Sequence, residues 1–348
     1  MKKLGYYLFK RWISIGLFCY YQKIRVEGLE DVPQNQPVFF LSNHQNALMD
    51  VLLLATRCQR KPWFLTRSDV FSNSLLRALF SFLQMIPIYR IRDGKENLSK
   101  NHAVFARCSD LMANNESLLL FPEANHNLKR RVRPLSKGFT RIIDRTLEER
   151  PNLVLQLVPV GQNYQNPTQI GDSASVHFGK PIGVSSDQYG TNSIHLKKVV
   201  STALKKLTTH IDDEENYALI LDQMDSVGVD YLNPTKVNKM LRNNKFVKNN
   251  KILGISRGPN RFLFYLLNLP QVFIWRVMVK PRVPEPEFMA TFRFGFSMIC
   301  YPLFYVLLFM VISKSFGLLS AFFVVLGHFA LNIVLIKVIG ITSSDQRK

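Results

Sequence analysis

A histidine and an aspartate stand six positions apart where an apolar run gives way to a polar turn. The run 39–41 leads into Ser42 and Asn43, then His44, and Asp50 lies near the start of an apolar helix. An imidazole can act as a general base near neutral pH, and a carboxylate behind it fixes its tautomer. The alternative is a capping turn whose histidine lies on the surface. The pair is therefore a hypothesis of general-base catalysis.

The spacing of this pair sets a structural condition. Six positions on a regular helix turn through about 600°, which would place His44 and Asp50 on different faces. The two side chains meet only if His44 lies in a turn and Asp50 enters the following helix.

Other strand-like runs also end in charged residues. Arg90 follows the run 86–89, and Glu123 follows the run 118–122. A fourth run, 157–160, closes on Gly161. Because the carboxyl ends of parallel strands share one edge of a sheet, His44, Asp50, Arg90 and Glu123 are expected to converge there.

The pattern around these residues predicts an α/β fold with a mixed, largely parallel sheet flanked by helices over residues 23–210. The predicted strands are 37–41, 63–65, 86–89, 117–121, 154–160 and 175–178. The predicted helices are 47–56, 74–83, 95–114 and 138–149, and 191–224 is expected to form one or two polar helices.

Composition indicates an anionic partner. The 348 residues carry 45 Lys and Arg against 25 Asp and Glu, a net charge of +20, so a membrane surface, a phosphorylated substrate or nucleic acid must be considered. No recognition-helix or aromatic-platform motif accompanies the charge, which argues against nucleic acid. The four cysteines show neither metal nor disulfide spacing, so we expect a reducing compartment and no disulfide framework. No metal site and no cofactor are predicted.

Two segments have the composition of membrane-surface elements. Residues 1–22 are aromatic and basic, which is typical of an interfacial amphipathic helix; packing on the core is the alternative. Residues 211–260 are predicted to form a polar, basic helical linker. Within it, basic residues recur every third position from Lys236 to Lys251, facing either anionic headgroups or solvent.

The last segment, 261–348, is predicted to be a membrane region. The apolar runs 294–312 and 316–336 are each long enough to cross a bilayer, and the polar turn 313–315 separates them, which predicts a transmembrane helical hairpin. The interrupted run 262–279 is expected to be interfacial or re-entrant. His328 and Asn332 share a helix face, as a polar patch or a functional intramembrane site.

Charge predicts the orientation of this region. Basic residues flank both ends of the hairpin, whereas its turn carries only Lys314. The positive-inside rule therefore places both ends and the α/β domain in the cytoplasm.

The order and spacing of four blocks resemble the conserved blocks of the glycerolipid acyltransferase family. Within that family the resemblance is to the lysophosphatidate acyltransferase group with its His-x4-Asp signature. The four blocks are His44-x5-Asp50, 86–90, 118–123 and 157–161. The resemblance covers about residues 35–165. It implies acyl transfer to a glycerolipid hydroxyl from acyl-CoA or acyl-carrier protein, a co-substrate rather than a cofactor. It also implies that His44 is the base, that Asp50 orients it, that Arg90 holds the acceptor phosphate and that Glu123 is a site residue.

The sequence departs from the family pattern at two places. Five residues separate His44 from Asp50, and Asn46 matches branches that carry the extra residue. The third block continues with His126 where the family usually has an acceptor-binding arginine, so phosphate binding is either weaker or moved to Lys129, Arg130, Arg131 and Arg133. A solvated loop face is the alternative interpretation of these four residues. The resemblance further implies that Lys137, at a helix start, helps to hold the donor's phosphates.

The expected function is a membrane-bound O-acyltransferase facing the cytoplasm, most specifically one converting lysophosphatidate to phosphatidate. Glycerol-3-phosphate or a non-phosphate lipid alcohol is the alternative acceptor. A catalytically inactive, membrane-tethered lipid-binding protein is the alternative from another class. It predicts the loss of His44, Asp50 or Glu123, and all three are present.

Overall fold

An eight-stranded sheet forms the centre of the protein in a computed structural model that describes residues 2–71, 80–90, 94–189, 193–246 and 257–341. The strands are β1 (Lys23–Glu27), β2 (Val38–Ser42), β3 (Trp63–Arg67), β4 (Met85–Ile88), β5 (Ser117–Leu120), β6 (Leu155–Tyr164), β7 (Ser173–Phe178) and β8 (Ile182–Val184).

The sheet is mixed and largely parallel, which confirms the predicted fold class. Its order is β1-β7-β6-β2-β5-β3-β4, with β8 paired to β6. The pairs β1–β7, β2–β6, β2–β5, β3–β5 and β3–β4 are parallel, whereas β6 runs antiparallel to β7 and to β8. The strand β2 lies in the middle and ends directly before the histidine turn.

All six predicted strands are present, and their composition explains why. Every residue of Val38–Ser42 is buried, as expected of a parallel strand covered on both faces. The structure adds β1 and β8. The apolar pattern missed β1 because three of its five residues are charged, and it missed β8 because a strand of three residues is too short to show a pattern. It also extends β6 to Tyr164, since residues 160–164 pair with β7.

Helices cover both faces of this sheet. One face is covered by α1 (Lys2–Tyr20) and α2 (Ala47–Arg57), and the other by α3 (Asn101–Ala113), α4 (Gly138–Glu149) and, after the short α5 (Ser186–Tyr189), α6 (Ser193–Leu207). The predicted helix 95–114 begins as a 3-10 turn, Lys95–Lys100. Most of the predicted helix 74–83 lies outside the described residues.

The N-terminal helix α1 has two different apolar faces. Leu17 and Tyr20 are buried in the core, whereas Leu8, Trp12 and Phe18 are exposed. The helix therefore packs on the α/β domain and also presents the apolar surface that an interfacial helix requires.

Residues 211–246, part of the segment predicted to be a polar, basic helical linker, contain two helices that pack together as an extension of the α/β domain. The helices α7 (Tyr217–Ser226) and α8 (Pro234–Asn243) enclose a small core around Met224 and Tyr231. The Asp230 carboxylate also pairs with Arg25 of β1 at 2.9 Å. Basic residues of the periodic set are exposed on and just after α8, namely Lys236, Lys239, Arg242 and Lys245; Lys248 and Lys251 lie outside the described residues.

The predicted membrane region begins with two short helices that meet at a sharp elbow. The axes of α9 (Arg257–Leu267) and α10 (Leu269–Ile274), the latter continued by helical turns to Arg282, differ by 88°. Asn268 is fully buried at this elbow. The segment is thus not a straight span, and a re-entrant or interfacial placement remains the prediction.

The long apolar helix α11 (Met289–Lys337) folds back on itself. Tyr305 Oη lies 3.3 Å from His328 Nδ1, whereas 23 residues of straight helix would separate them by about 35 Å. The reversal is at Gly317, with φ 83° and ψ 166°, rather than at the predicted turn 313–315, because glycine has no Cβ to oppose a positive φ. Among the described helices, the segment Pro286–Lys337 is long and apolar enough to cross a membrane.

The polar residues of α11 tie the hairpin to the elbow. Asn268 donates a hydrogen bond to Asn332 Oδ1 at 2.7 Å, and His328 Nε2 lies 3.0 Å from the Leu267 carbonyl, to which it donates. These contacts satisfy the Leu267 carbonyl and the side-chain N–H of Asn268 at the elbow. They favour the polar-patch interpretation of His328 and Asn332 over a functional site.

If both arms of the hairpin cross the bilayer, its tip and the α/β domain lie on opposite sides. In a variant without native cysteines, we expect an impermeant maleimide to label Ser315→Cys only in right-side-out vesicles. The exposed α6 control Thr202→Cys should label only in inside-out vesicles. Labelling of both variants from the same side would show that the hairpin does not cross.

Candidate active site

The histidine turn is held in place by both neighbouring strand ends. The Asn43 side chain makes two hydrogen bonds to the backbone of Gln162 on β6, at 3.0 and 2.7 Å. The His44 carbonyl accepts from the Asn127 amide at 3.1 Å, and the Gln45 side chain donates to the Leu128 carbonyl at 2.8 Å. The turn is therefore fixed between β6 and the loop after β5.

His44 and Asp50 meet, because the chain turns before the helix begins. Ala47 has φ 42°, and Asp50 lies in the first turn of α2. His44 Nδ1 is 2.8 Å from Asp50 Oδ2. An ionised carboxylate only accepts, so Nδ1 carries the proton and Nε2 remains available as a base.

The Asp50 carboxylate is fully buried and accepts four hydrogen bonds. Besides His44, Oδ2 accepts from the amides of Gln45 and Asn46, each at 2.8 Å. Oδ1 accepts from the Tyr164 hydroxyl at 2.5 Å. The Gln45 and Asn46 amides are thus engaged by Asp50, so they do not serve as the oxyanion donors that a turn of this kind suggests.

Aromatic rings set the plane of the His44 imidazole. The ring stacks on Phe121 at 4.1 Å with an interplanar angle of 17°. His126 meets it edge-on at 5.7 Å. The imidazole is therefore held by packing as well as by Asp50.

Glu123 lies beside His44 in a polar cleft that Lys129, Arg131 and Thr209 also line. Its Oε2 accepts from Arg133 Nε at 2.9 Å, and its Oε1 is buried with no hydrogen-bond partner among the described residues. Burial raises the pKa of Glu123 to about 7, although Arg133 opposes the shift. A carboxyl group of this kind can accept a hydrogen bond from a bound hydroxyl.

The basic loop after Glu123 supplies fewer free cations than its sequence suggests. Arg130 is buried and donates to the carbonyls of Tyr164 and Gln165, at 2.7 and 2.9 Å. Arg131 pairs with Glu214, and Arg133 pairs with Glu123. Lys129 is exposed over the Tyr217 ring. Arg130 thus has a structural role, which corrects its place among the expected phosphate ligands.

His126 connects the site to the segment before α11, in the predicted membrane region. Its Nε2 is 3.1 Å from Glu285 Oε2, and Phe288 packs edge-on against its ring at 4.7 Å. Burial lowers the pKa of His126, and the hydrogen bond with Glu285 opposes that shift. The segment before α11 therefore forms one wall of the site.

Three other predicted site residues lie farther from the catalytic pair or have other partners. Arg90 is at the same sheet edge, but β4 is three strands from β2, about 14 Å by the usual strand spacing, and its guanidinium lies 3.6 Å from Asp69. Asn46 is in the histidine turn, where its side chain donates to the Pro167 carbonyl at 2.8 Å. Lys137 is exposed at the start of α4; the amide of its neighbour Ser136 donates to the Pro122 carbonyl.

The sequence pattern missed Tyr164, Glu285 and the role of Phe121. No local signal marks Tyr164, which ends an apolar strand, or Glu285, which is 159 positions from His126. The described residues also hold no cluster of three or more His, Cys, Asp or Glu that could bind a metal ion.

Comparison with known proteins gives matches to one group of enzymes. Residues 23–161 match the sequence model of the Acyltransferase family. The chain is 27% identical over 146 residues to the chloroplastic 1-acyl-sn-glycerol-3-phosphate acyltransferase of Arabidopsis thaliana, a match covering 42% of this chain and 39% of the plant protein. It is 25% identical over 126 residues to glycerol-3-phosphate O-acyltransferase 1 of Saccharomyces cerevisiae, covering 34% of this chain and 17% of the yeast protein.

A solved structure is also similar. The crystal structure of the 1-acyl-sn-glycerophosphate acyltransferase PlsC from Thermotoga maritima aligns with a TM-score of 0.42 at 14% identity, covering 59% of this chain and 78% of that one. The two sequence matches are partial: the chain spans about two fifths of the length of the plant relative and less than a fifth of the length of the yeast relative.

The raised pKa of Glu123 predicts a pH dependence of stability. The folded protein keeps this proton up to about pH 7, whereas an unfolded chain releases it near 4.5. The folded state binds more protons in between, so this group's contribution to stability falls as pH rises through that window, by about 3 kcal/mol. Glu123→Gln should therefore gain stability relative to wild type from pH 4.5 to 7 in thermal unfolding. The same substitution at the exposed Glu148 is the control, and an equal response of both variants would contradict the assignment.

Proposed function

We propose that the protein, whose residues 23–161 match the Acyltransferase family, is a membrane-bound O-acyltransferase. It moves an acyl chain from a thioester, acyl-CoA or acyl-carrier protein, to a glycerolipid hydroxyl. The most specific form of the proposal is the conversion of lysophosphatidate to phosphatidate. The observation that carries it is the imidazole of His44, held through Nδ1 by Asp50 at 2.8 Å.

The chemistry follows from this geometry. His44 Nε2 removes the proton of the acceptor hydroxyl while its oxygen attacks the thioester carbonyl, and Asp50 stabilises the resulting imidazolium. Collapse of the tetrahedral intermediate breaks the carbon–sulfur bond, and the imidazolium returns the proton to the departing thiolate. The thioester is already activated, so the acyl group passes directly from sulfur to oxygen.

The groups around His44 have distinct tasks in this proposal. The buried Oε1 of Glu123 accepts a hydrogen bond from a hydroxyl of the acceptor. Since the amides of Gln45 and Asn46 are held by Asp50 and Arg131 is paired with Glu214, the oxyanion and the acceptor phosphate are met by Lys129, the exposed cation of the cleft. Arg90 approaches the phosphate from the β4 side of the same edge.

Membrane association is supported by the exposed apolar surfaces. Trp12 and Phe18 of α1 and Leu319 and Phe323 of α11 are between 45% and 71% exposed. Patches of this kind mark membrane contacts in proteins of this composition. We propose that the site opens toward the bilayer surface on the cytoplasmic side, where lipid acceptors and soluble donors meet.

A second acceptor, glycerol-3-phosphate, is favoured by two observations. His126 stands where the lysophosphatidate group usually has an arginine, and it is paired with Glu285. The yeast relative is named as a glycerol-3-phosphate acyltransferase. A direct comparison of both acceptors with both donor classes, read by lipid mass spectrometry, decides between them.

The role of His44 is tested by His44→Ala. Loss of a general base should lower kcat at least about 10²-fold. The variant should still fold, at a lower thermal stability than wild type, because the buried Asp50 keeps three of its four hydrogen-bond donors. His102→Ala, at an exposed position of α3, is the matched control. Retention of activity within tenfold of wild type in His44→Ala would exclude the general-base role.

Recognition of the acceptor phosphate is tested with variants of Arg90 and His126. Arg90→Ala should raise KM for a phosphate-bearing acceptor more than tenfold, because a hydrogen bond to a charged group is worth about 1.5–3 kcal/mol. Arg90→Lys should restore only part of the affinity for this acceptor, since a lysine ammonium cannot make the bidentate contact of a guanidinium. His126→Arg should lower the same KM.

The control for these variants is an acceptor without phosphate. Its KM should respond little to any of the three substitutions. Equal changes for both acceptors would show that neither Arg90 nor His126 recognises a phosphate.

A further inference from the structure

We infer that Tyr164 is a positioning residue of the catalytic pair: its hydroxyl holds the Asp50 carboxylate in the one orientation that presents Oδ2 to His44. Tyr164 lies three residues beyond the part of the chain that matches the family sequence model. The inference rests on the proposed function for its kinetic consequence, although its geometry is independent of it.

The two oxygens of Asp50 have separate partners. Oδ2 receives the His44 ring and two backbone amides, and Oδ1 receives the Tyr164 hydroxyl at 2.5 Å. Both Asp50 and Tyr164 are 0% exposed. Among the described residues the Tyr164 hydroxyl is the donor to Oδ1, so it fixes the side of the carboxylate that the three donors to Oδ2 leave open.

Tyr164 remains a donor across the working pH range. Burial raises the pKa of its hydroxyl well above 10, and the neighbouring Asp50 charge raises it further. The hydroxyl therefore keeps its proton and directs it at Oδ1.

The position of Tyr164 is itself fixed by a buried guanidinium. Arg130 donates to the Tyr164 and Gln165 carbonyls and lies 3.5 Å above the Tyr231 ring. Gln165 in turn donates to the Val229 carbonyl and accepts from the Tyr231 amide. The helical extension 211–246 thus supports the carboxylate through Arg130 and Tyr164, which explains why this arginine is turned away from the cleft.

The sequence offers a matched control next to this residue. Tyr21 is as deeply buried, its ring lies 6.4 Å from that of Tyr164, and its hydroxyl has no hydrogen-bond partner among the described residues. Replacing either tyrosine by phenylalanine removes one oxygen and keeps the ring. Only the change at position 164 removes a hydrogen bond to Asp50.

The experiment compares Tyr164→Phe with Tyr21→Phe in the full-length protein in detergent. Tyr164→Phe should lower kcat about tenfold to a hundredfold, the loss expected when a hydrogen bond to a charged group is removed, with KM within twofold of wild type. Tyr21→Phe should leave both constants within twofold. A kcat for Tyr164→Phe within twofold of wild type, or equal losses in both variants, would overturn the inference.

A spectroscopic signal separates this inference from the proposed function. The Nδ1 proton of His44 should give a low-field proton resonance in wild type, which His44→Ala identifies by removing it. Tyr164→Phe should shift or broaden that resonance and Tyr21→Phe should not. If the wild type transfers acyl chains to no glycerolipid, the proposed function fails, while an unchanged resonance in Tyr164→Phe would refute the positioning role on its own.

Discussion

The buried carboxylate of Asp50 is the constraint on which the rest of the site depends. An ionised carboxylate without partners is very costly in an apolar interior, and here four donors meet it. Two are amides of the histidine turn, one is the His44 ring and one is the Tyr164 hydroxyl. The same four bonds that keep the charge in the core therefore also set the turn after β2, the entry of α2 and the plane of the imidazole.

The sheet explains how these donors come together. The middle strand β2 lies between β5 and β6, so the turn after β2 is flanked by the loop carrying Glu123 and by the end of β6 carrying Tyr164. Asn43 joins the turn to β6, and the amide of Asn127 joins it to the other side. Parallel pairing thus places the His44 imidazole, the Glu123 carboxyl group and the Tyr164 hydroxyl at one edge of the sheet.

The C-terminal region is part of the site rather than an appended anchor. Glu285 and Phe288 contact His126, and the Lys337 ammonium donates to the Tyr21 carbonyl at 2.6 Å. The N-terminal helix, the hairpin and the α/β domain share a core that contains Leu17, Ala290 and Phe294. Contacts at both the entry and the exit of the hairpin hold the site and the exposed apolar surfaces in one arrangement.

Local sequence determined much of this protein. The apolar runs specify the strands at 38–42 and 117–120 and the helical hairpin within 289–337, because periodicity and length are properties of neighbouring residues. The spacing of His44 and Asp50 required a turn followed by a helix, and the structure has one. Tertiary structure decided which residues contact each other when they are far apart along the chain. Arg130 and Arg133 lie in the same basic loop, and their sequence context does not distinguish them. Arg130 is buried and donates hydrogen bonds to backbone carbonyls, whereas Arg133 pairs with Glu123. Tyr164 and Glu285 reach the site from 114 and 159 positions away, and the burial that raises the pKa of Glu123 comes from packing that no short motif encodes.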